Sequence, residues 1–460
     1  MGAAKHFLRL LVCGMIVVPL LGQAPTKVSM ASPIPRNIIV MIGDGMGFNQ
    51  SLAASYYRFG RGPYQIYNNF PIKYGVTTYS ADGQGYDPTL AWNDFNYVMT
   101  NYTDCAASAT AMATGVKTYD VGVGVDAGGN PVGNVFEAAE TIGMSTGIVT
   151  TVEFSHATPA GFVAHNVHRD NYEGIANEMI LDSDTDVIMG TGHPWFNNNN
   201  QLMAVPSTFK YVGGESTWDA LVAGTVSSDR DNDGIAEAAV LIQAASEFEA
   251  LMTGPTPEFV VGVAQVSSTL QQARGGDAMA DPYVVPLNLN VPTLAEMSLA
   301  AINILDDNPN GFMLMVEGGA IDWAAHSHQP GRMIEEQIDF DMAVFAVVSW
   351  VQTYSNWSET LLIVTGDHET GHLWGPDSDP TWKLLINNNQ GELPGMQFYS
   401  PNHTNSLVRL YAVGADADWF TTLIAGTDPV HGPYVDNTSI AHVIFQILSY
   451  DRLYLPFIGK

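Results

Sequence analysis

"NIIVMIGDGMGFNQ", residues 37–50, opens on a continuous apolar run, Ile38 to Ile42, and stops at Gly43-Asp44-Gly45 before a helix-like segment. The plan recurs in "GFMLMVEGGAIDWAAHSH" (311–328), where Phe312 to Val316 leads into Glu317 and two glycines. It recurs again in "ETLLIVTGDHETGH" (359–372), where Leu361 to Thr365 precedes Asp367-His368. Short apolar runs without polar alternation predict parallel strands buried on both faces, hence an α/β fold. Open parallel sheets bind ligands beyond the carboxyl ends of their strands. Strands that all end in carboxylates therefore predict one shared polar site.

The residue types at those ends suit a metal. Asp322 and His326 stand four apart in a helix-like stretch, so they share a face and can grip one ion. Asp367 and His368 are adjacent at a strand end, where neighbouring side chains can reach different ions. Oxygen and imidazole donors without thiolate pairs fit Zn²⁺ or a harder divalent cation. Each acid alone reads as a helix cap or a solvated loop residue; their common position at strand ends selects the site.

"NYTDCAASATAMATGVKTYDVGVG" (101–124) places a thiol, Cys105, directly after Asp104 at the front of a run of small helix formers. The other cysteine, Cys13, lies in "LLVCGMIVVPLL", an apolar segment preceded by Lys5 and Arg9 and too short to span a membrane. Residues 1–31 read as a signal peptide cut after Ala31, which implies a product in the periplasm or secreted. Residues 32–460 read as one large domain, with an insertion outside the sheet at about 195–260. Cys105 then has no disulfide partner, although export would permit one. The formal charge of −30, from 17 basic and 47 acidic residues, argues against nucleic acid and anionic membranes as partners. Within the insertion, "SSDRDNDGIAEA" (227–238) aligns Asp229, Asp231, Asp233 and Gly234 with the first half of a calcium loop. The twelfth position is Val240 rather than Glu, so a solvated acidic turn is preferred to a structural Ca²⁺ site.

"IGDGMG" (42–47), "TDCAASATAMATGVKTYDVGVG" (103–124), "HATPAGFVAHNVHR" (156–169), "VEGGAIDWAAHSH" (316–328), "TGDHETG" (365–371) and "HTN" (403–405) resemble, in order and spacing, the motifs of alkaline phosphatases. The resemblance implies a three-layer α/β/α sandwich with a large, mostly parallel central sheet, and two Zn²⁺ and one Mg²⁺ in one cleft. By the same resemblance the first zinc is held by Asp322, His326 and His403, and the second by Asp44, Asp367 and His368, completed by the nucleophile. Asp44, Thr158 and Glu317 match the magnesium site. Arg169 matches the arginine that grips phosphate, and Asp104 the acid that orients it. His156 and Trp323 resemble the marine and cold-adapted bacterial branch, with His156 near the magnesium shell or the phosphate. The implied substrates are small phosphate monoesters, and a homodimer is implied by analogy.

Cys105 departs from that family, in which serine is the phosphoryl acceptor. A thiol near a helix N-terminus, an arginine and zinc is expected to be largely thiolate, which is a strong nucleophile. Three readings follow: a phosphomonoesterase with a phosphocysteine intermediate, a catalytically impaired zinc- and phosphate-binding homologue, or a sulfatase. The sulfatase reading needs Cys-x-Pro-x-Arg, whereas the chain has Cys-Ala-Ala-Ser-Ala. Phosphodiesterase relatives lack the arginine, so Arg169 favours monoesters. Ser108 and Thr110 read as structural hydroxyls inside the helix.

Overall fold

The computed structural model describes residues 35–230 and 234–454. The signal-peptide assignment and two residues of the calcium-loop assignment, Asp231 and Asp233, lie outside the described residues.

The apolar runs are strands of one 11-stranded sheet. In chain order its strands are β1 (Asn37–Gly43), β2 (Ile72–Thr77), β3 (Ser145–Glu153), β4 (Val187–Thr191), β5 (Val240–Ile242), β6 (Val260–Val263), β7 (Phe312–Gly318), β8 (Thr360–Gly366), β9 (Val408–Gly414), β10 (Gly426–Asp428) and β11 (Gly432–Asp436). Across the sheet they run β10-β11-β2-β9-β8-β1-β7-β3-β4-β6-β5. From β8 to β5 every neighbouring pair is parallel. Beyond β8 the direction reverses at β9, which pairs antiparallel with both β8 and β2.

The absence of alternation in β1 has the predicted cause. Ile38, Val40 and Ile42 pack into a core with the helices Cys105–Thr114, Ala157–Val163 and Thr438–Tyr454. Ile39 and Met41 pack into a second core with Leu294–Leu305 and Pro330–Tyr354. All five are 0% exposed. Burying such a side chain is worth about 1.5–3 kcal/mol, so β1 alone rivals the whole net stability of a typical domain, about 5–15 kcal/mol. Its carboxyl end is therefore a rigid platform, and helices on both sheet faces make the α/β/α layering.

The three predicted strands also end at one level. Gly43 aligns with Gly318 on one side and Gly366 on the other. Asp44 N–H then donates to Gly318 O at 3.2 Å, which turns the chain across the strand ends. Gly45 follows at φ +71°, and a Cβ there would meet Asp322 Cα at 2.8 Å. The turn thus needs glycine both for its left-handed backbone and for the close approach of the Asp322 helix.

The segment 195–260 differs from its expected place outside the sheet. Val240–Ile242 pairs with Val260–Val263, and that strand pairs with β4, so the segment extends the main sheet at its edge. The strands escaped notice because they are short, with polar residues close on both sides. Among the described residues no helix is long and apolar enough to cross a membrane.

Candidate active site

The carboxyl ends of β1, β7 and β8 open into a cleft of about 500 Å³ whose walls include Asp104, Cys105, Arg169, Asp322, His326 and His403. Potential ligands gather at and beneath its floor in three overlapping groups: Asp322, His326 and His403 at the outside, Asp44, Cys105, Asp367 and His368 within, and Cys105, His368 and His403 between them, the donor atoms of each lying within 4.8 Å of one another. The sequence-predicted ligands are thus brought together from positions more than 300 residues apart, between Asp44 and His403.

In the outer group Asp322 and His326 occupy one face of the helix Ala320–His326, and His403 lies on the short strand His403–Thr404. His326 Nδ1 lies 2.5 Å from Pro401 O and His403 Nδ1 lies 2.8 Å from Thr103 O. A carbonyl only accepts, so both rings donate from Nδ1, which in a neutral imidazole leaves the lone pair on Nε2. Those two Nε2 atoms are 2.9 Å apart, and Asp322 Oδ1 is 3.4 and 3.5 Å from them. Facing lone pairs and a carboxylate repel one another unless a cation lies between them. The group fits a divalent ion with imidazole and carboxylate ligands.

The inner group is more deeply placed: Asp44, Asp367 and His368 are 0% exposed and Cys105 is 3% exposed. Thr370 Oγ1 donates to Asp322 Oδ1 at 2.5 Å, so at 3.3 Å it must accept from His368 Nδ1. That leaves the lone pair of His368 Nε2 facing Asp367 Oδ2 at 3.1 Å, Cys105 Sγ at 3.4 Å and Asp44 Oδ1 at 3.6 Å. Asp367 is asymmetric. Its Oδ1 accepts from Gly45 N and His368 N, while its Oδ2 and both carboxylate oxygens of Asp44 are buried without a hydrogen-bond partner. Burial, reinforced by the neighbouring acids, pushes Asp44 well above the usual carboxylate range and Asp367 up to about 8. Burial, and then the proximity of His403 and His326, lower His368 well below its ordinary value and keep it neutral. Protons or a cation must fill such a group near neutrality, and a divalent ion satisfies every one of these lone pairs.

An oxygen-rich corner adjoins it. Thr150 donates to Glu317 Oε2, whereas Glu317 Oε1 and the Thr158 hydroxyl beside it are buried without a closed hydrogen bond. Burial raises Glu317 to about 7. With Asp44, these oxygens suit a hard cation.

Cys105 is the first residue of the helix Cys105–Thr114. Asp104 caps that helix through Oδ1, which accepts from Ala107 N at 2.9 Å, and holds Arg169 Nη1 with Oδ2 at 2.8 Å. One carboxylate therefore fixes both the thiol and the guanidinium. Without an ion, burial, and then Asp44, push the Cys105 thiol well up, and Arg169 only partly opposes them. The thiolate expected from the sequence is that of a site that also holds zinc. Arg169 itself stays charged: burial works against it, but Cys105 and Asp104 outweigh burial. His156 Nε2 lies 3.4 Å from Arg169 Nη2, and the His156 ring meets Trp323 edge-on at 5.6 Å. Burial, then Arg169, keep His156 neutral.

Several functional contacts had no sequence signal. Thr370 joins the two ligand groups, as described above. Ser108, read as structural, donates to Asp367 O at 2.7 Å and so positions a ligand-bearing backbone. Tyr102, Gln272 and Asn402 line the cleft. His372, four residues beyond His368, packs its ring against Phe95 at 4.4 Å.

The family model for alkaline phosphatase matches residues 35–400. Alkaline phosphatase 4 of Bacillus subtilis is 34% identical over 75% of this chain and 64% of its own length. Alkaline phosphatase of Escherichia coli is 30% identical over 88% of this chain and 86% of its own length. Among solved structures, the cold-active enzyme of a Shewanella species superposes with a TM-score of 0.65 at 25% identity, covering 90% of this chain and 99% of that one. The enzyme of the Antarctic bacterium TAB5 superposes at 0.62 with 22% identity, over 91% of this chain and 99% of that one, and a histidine variant of it was solved with bound Mg. With the family model matching residues 35–400 and the Escherichia coli enzyme 30% identical over 86% of its own length, the chain belongs to the alkaline phosphatase family.

Proposed function

We propose that the chain is an exported phosphomonoesterase that uses Cys105 as its phosphoryl acceptor. The observation that carries the reading is the pair of ligand groups sharing one cleft with Arg169, every donor aimed inward. Two zinc-type ions, at Asp322/His326/His403 and at Asp44/Asp367/His368 with Cys105, and a magnesium-type ion at Asp44/Thr158/Glu317 would supply Lewis acidity to nucleophile and leaving group. Arg169 offers its planar fork to two non-bridging phosphate oxygens, aimed by Asp104. Cys105 Sγ attacks phosphorus as the ester P–O bond breaks, and the leaving oxygen exits on the side opposite the sulfur. Water then cleaves the P–S bond, returning thiolate and free phosphate. His156, neutral beside Arg169, takes part in phosphate positioning without adding charge. The ester group meets only the cleft rim, which supports broad specificity for small monoesters.

The replacement of the expected serine by Cys105 favours one second reading, a catalytically impaired homologue that binds zinc and phosphate without turnover. Hydrolysis of p-nitrophenyl phosphate at alkaline pH by the Zn²⁺- and Mg²⁺-loaded protein, with Cys105→Ser alongside, separates the two. Turnover by the native protein, with trapped phosphocysteine, is the expected result. Turnover by the serine variant alone identifies the impaired homologue, and turnover by neither refutes the metal assignment.

A further inference from the structure

A cavity of about 820 Å³ shares no lining residue with the cleft described above. Its walls come in part from the start of the helix Phe48–Phe59, the helix Pro88–Asn93 and the short strand Leu373–Trp374. Phe48, Tyr86, Trp92, Trp374, Trp382 and His431 give it an aromatic lining. The Trp92 ring lies 5.7 Å from Trp382, 6.1 Å from Trp374 and 5.4 Å from His431. One carboxylate fixes this wall. Asp428 Oδ2 accepts from Tyr86 OH at 2.7 Å and from Trp92 Nε1 at 2.8 Å, while Oδ1 accepts from the backbone N–H groups of Val430 and His431. The aromatic surface is thus held in place by the fold itself, which lowers the ordering cost of binding. Volume and lining are those of a small-molecule site.

The same cavity holds a cation that the fold leaves unpaired. Arg409 lines it, with the guanidinium carbon 4.5 Å from the centre of the Phe48 ring. Its Nε is buried without a hydrogen-bond partner, and among the described residues no carboxylate pairs with it. Burial works against its charge, and only Tyr411 opposes that. The chain has 47 acidic residues to 17 basic ones, so the lack of a partner is not for want of acids. Other inward-lying guanidiniums are engaged: Arg169 by Asp104, Arg274 by Glu335, and Arg230 by three backbone carbonyls. Glu369, the one carboxylate among the lining residues, is committed to Gln50, Thr404 and the N–H groups of His372 and Leu373. Lys73, the other lining cation, is exposed and donates to Asn68 O at 3.0 Å. A partly buried guanidinium without an acid calls for an anion from outside the chain. We propose that this cavity binds a small amphipathic organic anion, its flat aromatic body among Trp92, Trp374 and Trp382 and its carboxylate or sulfonate paired with Arg409. This site rests on none of the metal assignments, and the function proposed above does not require it.

The test titrates the full protein with two fluorescent probes, anilinonaphthalene sulfonate and its uncharged parent N-phenylnaphthylamine, which share one aromatic body and differ by the sulfonate. The formal charge of −30 works against the anion, so tighter binding of the anion reports a local cation. Saturable binding is expected, with the sulfonate favoured on the order of tenfold or more, and with that preference lost in Arg409→Gln. Removing an unpaired charge is not expected to lower the melting temperature of the variant. Should the variant not fold, the two probes on the native protein still decide. Equal affinities for the two probes, or an unchanged preference in the variant, overturn the proposal. Displacement of the sulfonate by inorganic phosphate would place it in the cleft instead, and overturns the proposal too. Probe binding that falls as the protein self-associates in sedimentation has the same force, since a second copy then covers the cavity.

Discussion

The two ligand groups of the cleft are neighbours, with the His368 and His403 rings stacked at 3.6 Å, yet they are built differently. Asp44, Asp367 and His368 of the inner group stand at the ends of central strands and are fully buried, while Cys105, at a helix start, reaches the cleft wall. The outer group hangs on a seven-residue helix and a two-residue strand, and the His326 side chain is 35% exposed. The inner group offers four donors including sulfur, the outer three. On the function proposed above this is a division of labour: the buried group would hold the nucleophile, and the accessible one would face the exchanging oxygen of ester and water.

The hardest blow to this division is Cys105→Ala. We expect kcat for p-nitrophenyl phosphate to fall on the order of 10⁴-fold or more, with the outer ion still bound by metal analysis. Unchanged turnover would mean that another group accepts the phosphoryl. His326→Ala should cost on the order of 10²–10³-fold in kcat/KM while one zinc ion remains bound by metal analysis; loss of all zinc would show that the groups are not separable. Chelator titration sharpens the same point, with one ion expected to leave quickly from the outer group and another slowly from the inner.

Thr370→Val strikes the link between the groups by removing the hydroxyl that serves both Asp322 and His368. A loss of about 10–100-fold in zinc affinity or activity is expected, typical of groups that orient metal ligands. Isothermal titration with Zn²⁺ checks it, and two unchanged affinities would make Thr370 a bystander. The smallest effect is on stability. Asp367, raised to about 8, and Glu317, raised to about 7, bind protons more tightly folded than unfolded. Their contribution to stability is complete below the unfolded carboxylate range and is lost as pH rises through 7 and 8. The metal-free protein should therefore melt at falling temperature from pH 5 to pH 9, and added Zn²⁺ should remove most of that slope. A flat profile for the metal-free protein would show that the acids are not crowded as described.

What could be read from the sequence followed from where its signals are concentrated. The central strands and the acids at their ends were legible because each run is continuous and stops at a carboxylate. Asp322 and His326 were legible because a helix repeats nearly every four residues. Thr370 and Ser108 were not, since a hydroxyl carries no local mark of a partner far along the chain, such as Asp322 or Asp367. The edge strands within 195–260 were missed because three or four apolar residues do not distinguish a strand from a packed loop. The upward push on the metal-free thiol was not legible, because helix and arginine are local signals, whereas Asp44, which opposes them, arrives from another strand.

β1 also bears on how the chain must be made. It is the first strand of the sheet, yet Asn37 pairs with Phe312 on one side and Thr360 on the other. During synthesis Ile38–Ile42 must wait, both edges unpaired, until some 270 and then 320 further residues have emerged. Closing such long loops is slow, and an exposed apolar strand in the interval invites association with other chains. The centre of the sheet, and with it the cleft at its strand ends, can therefore close only after residue 366 has been made.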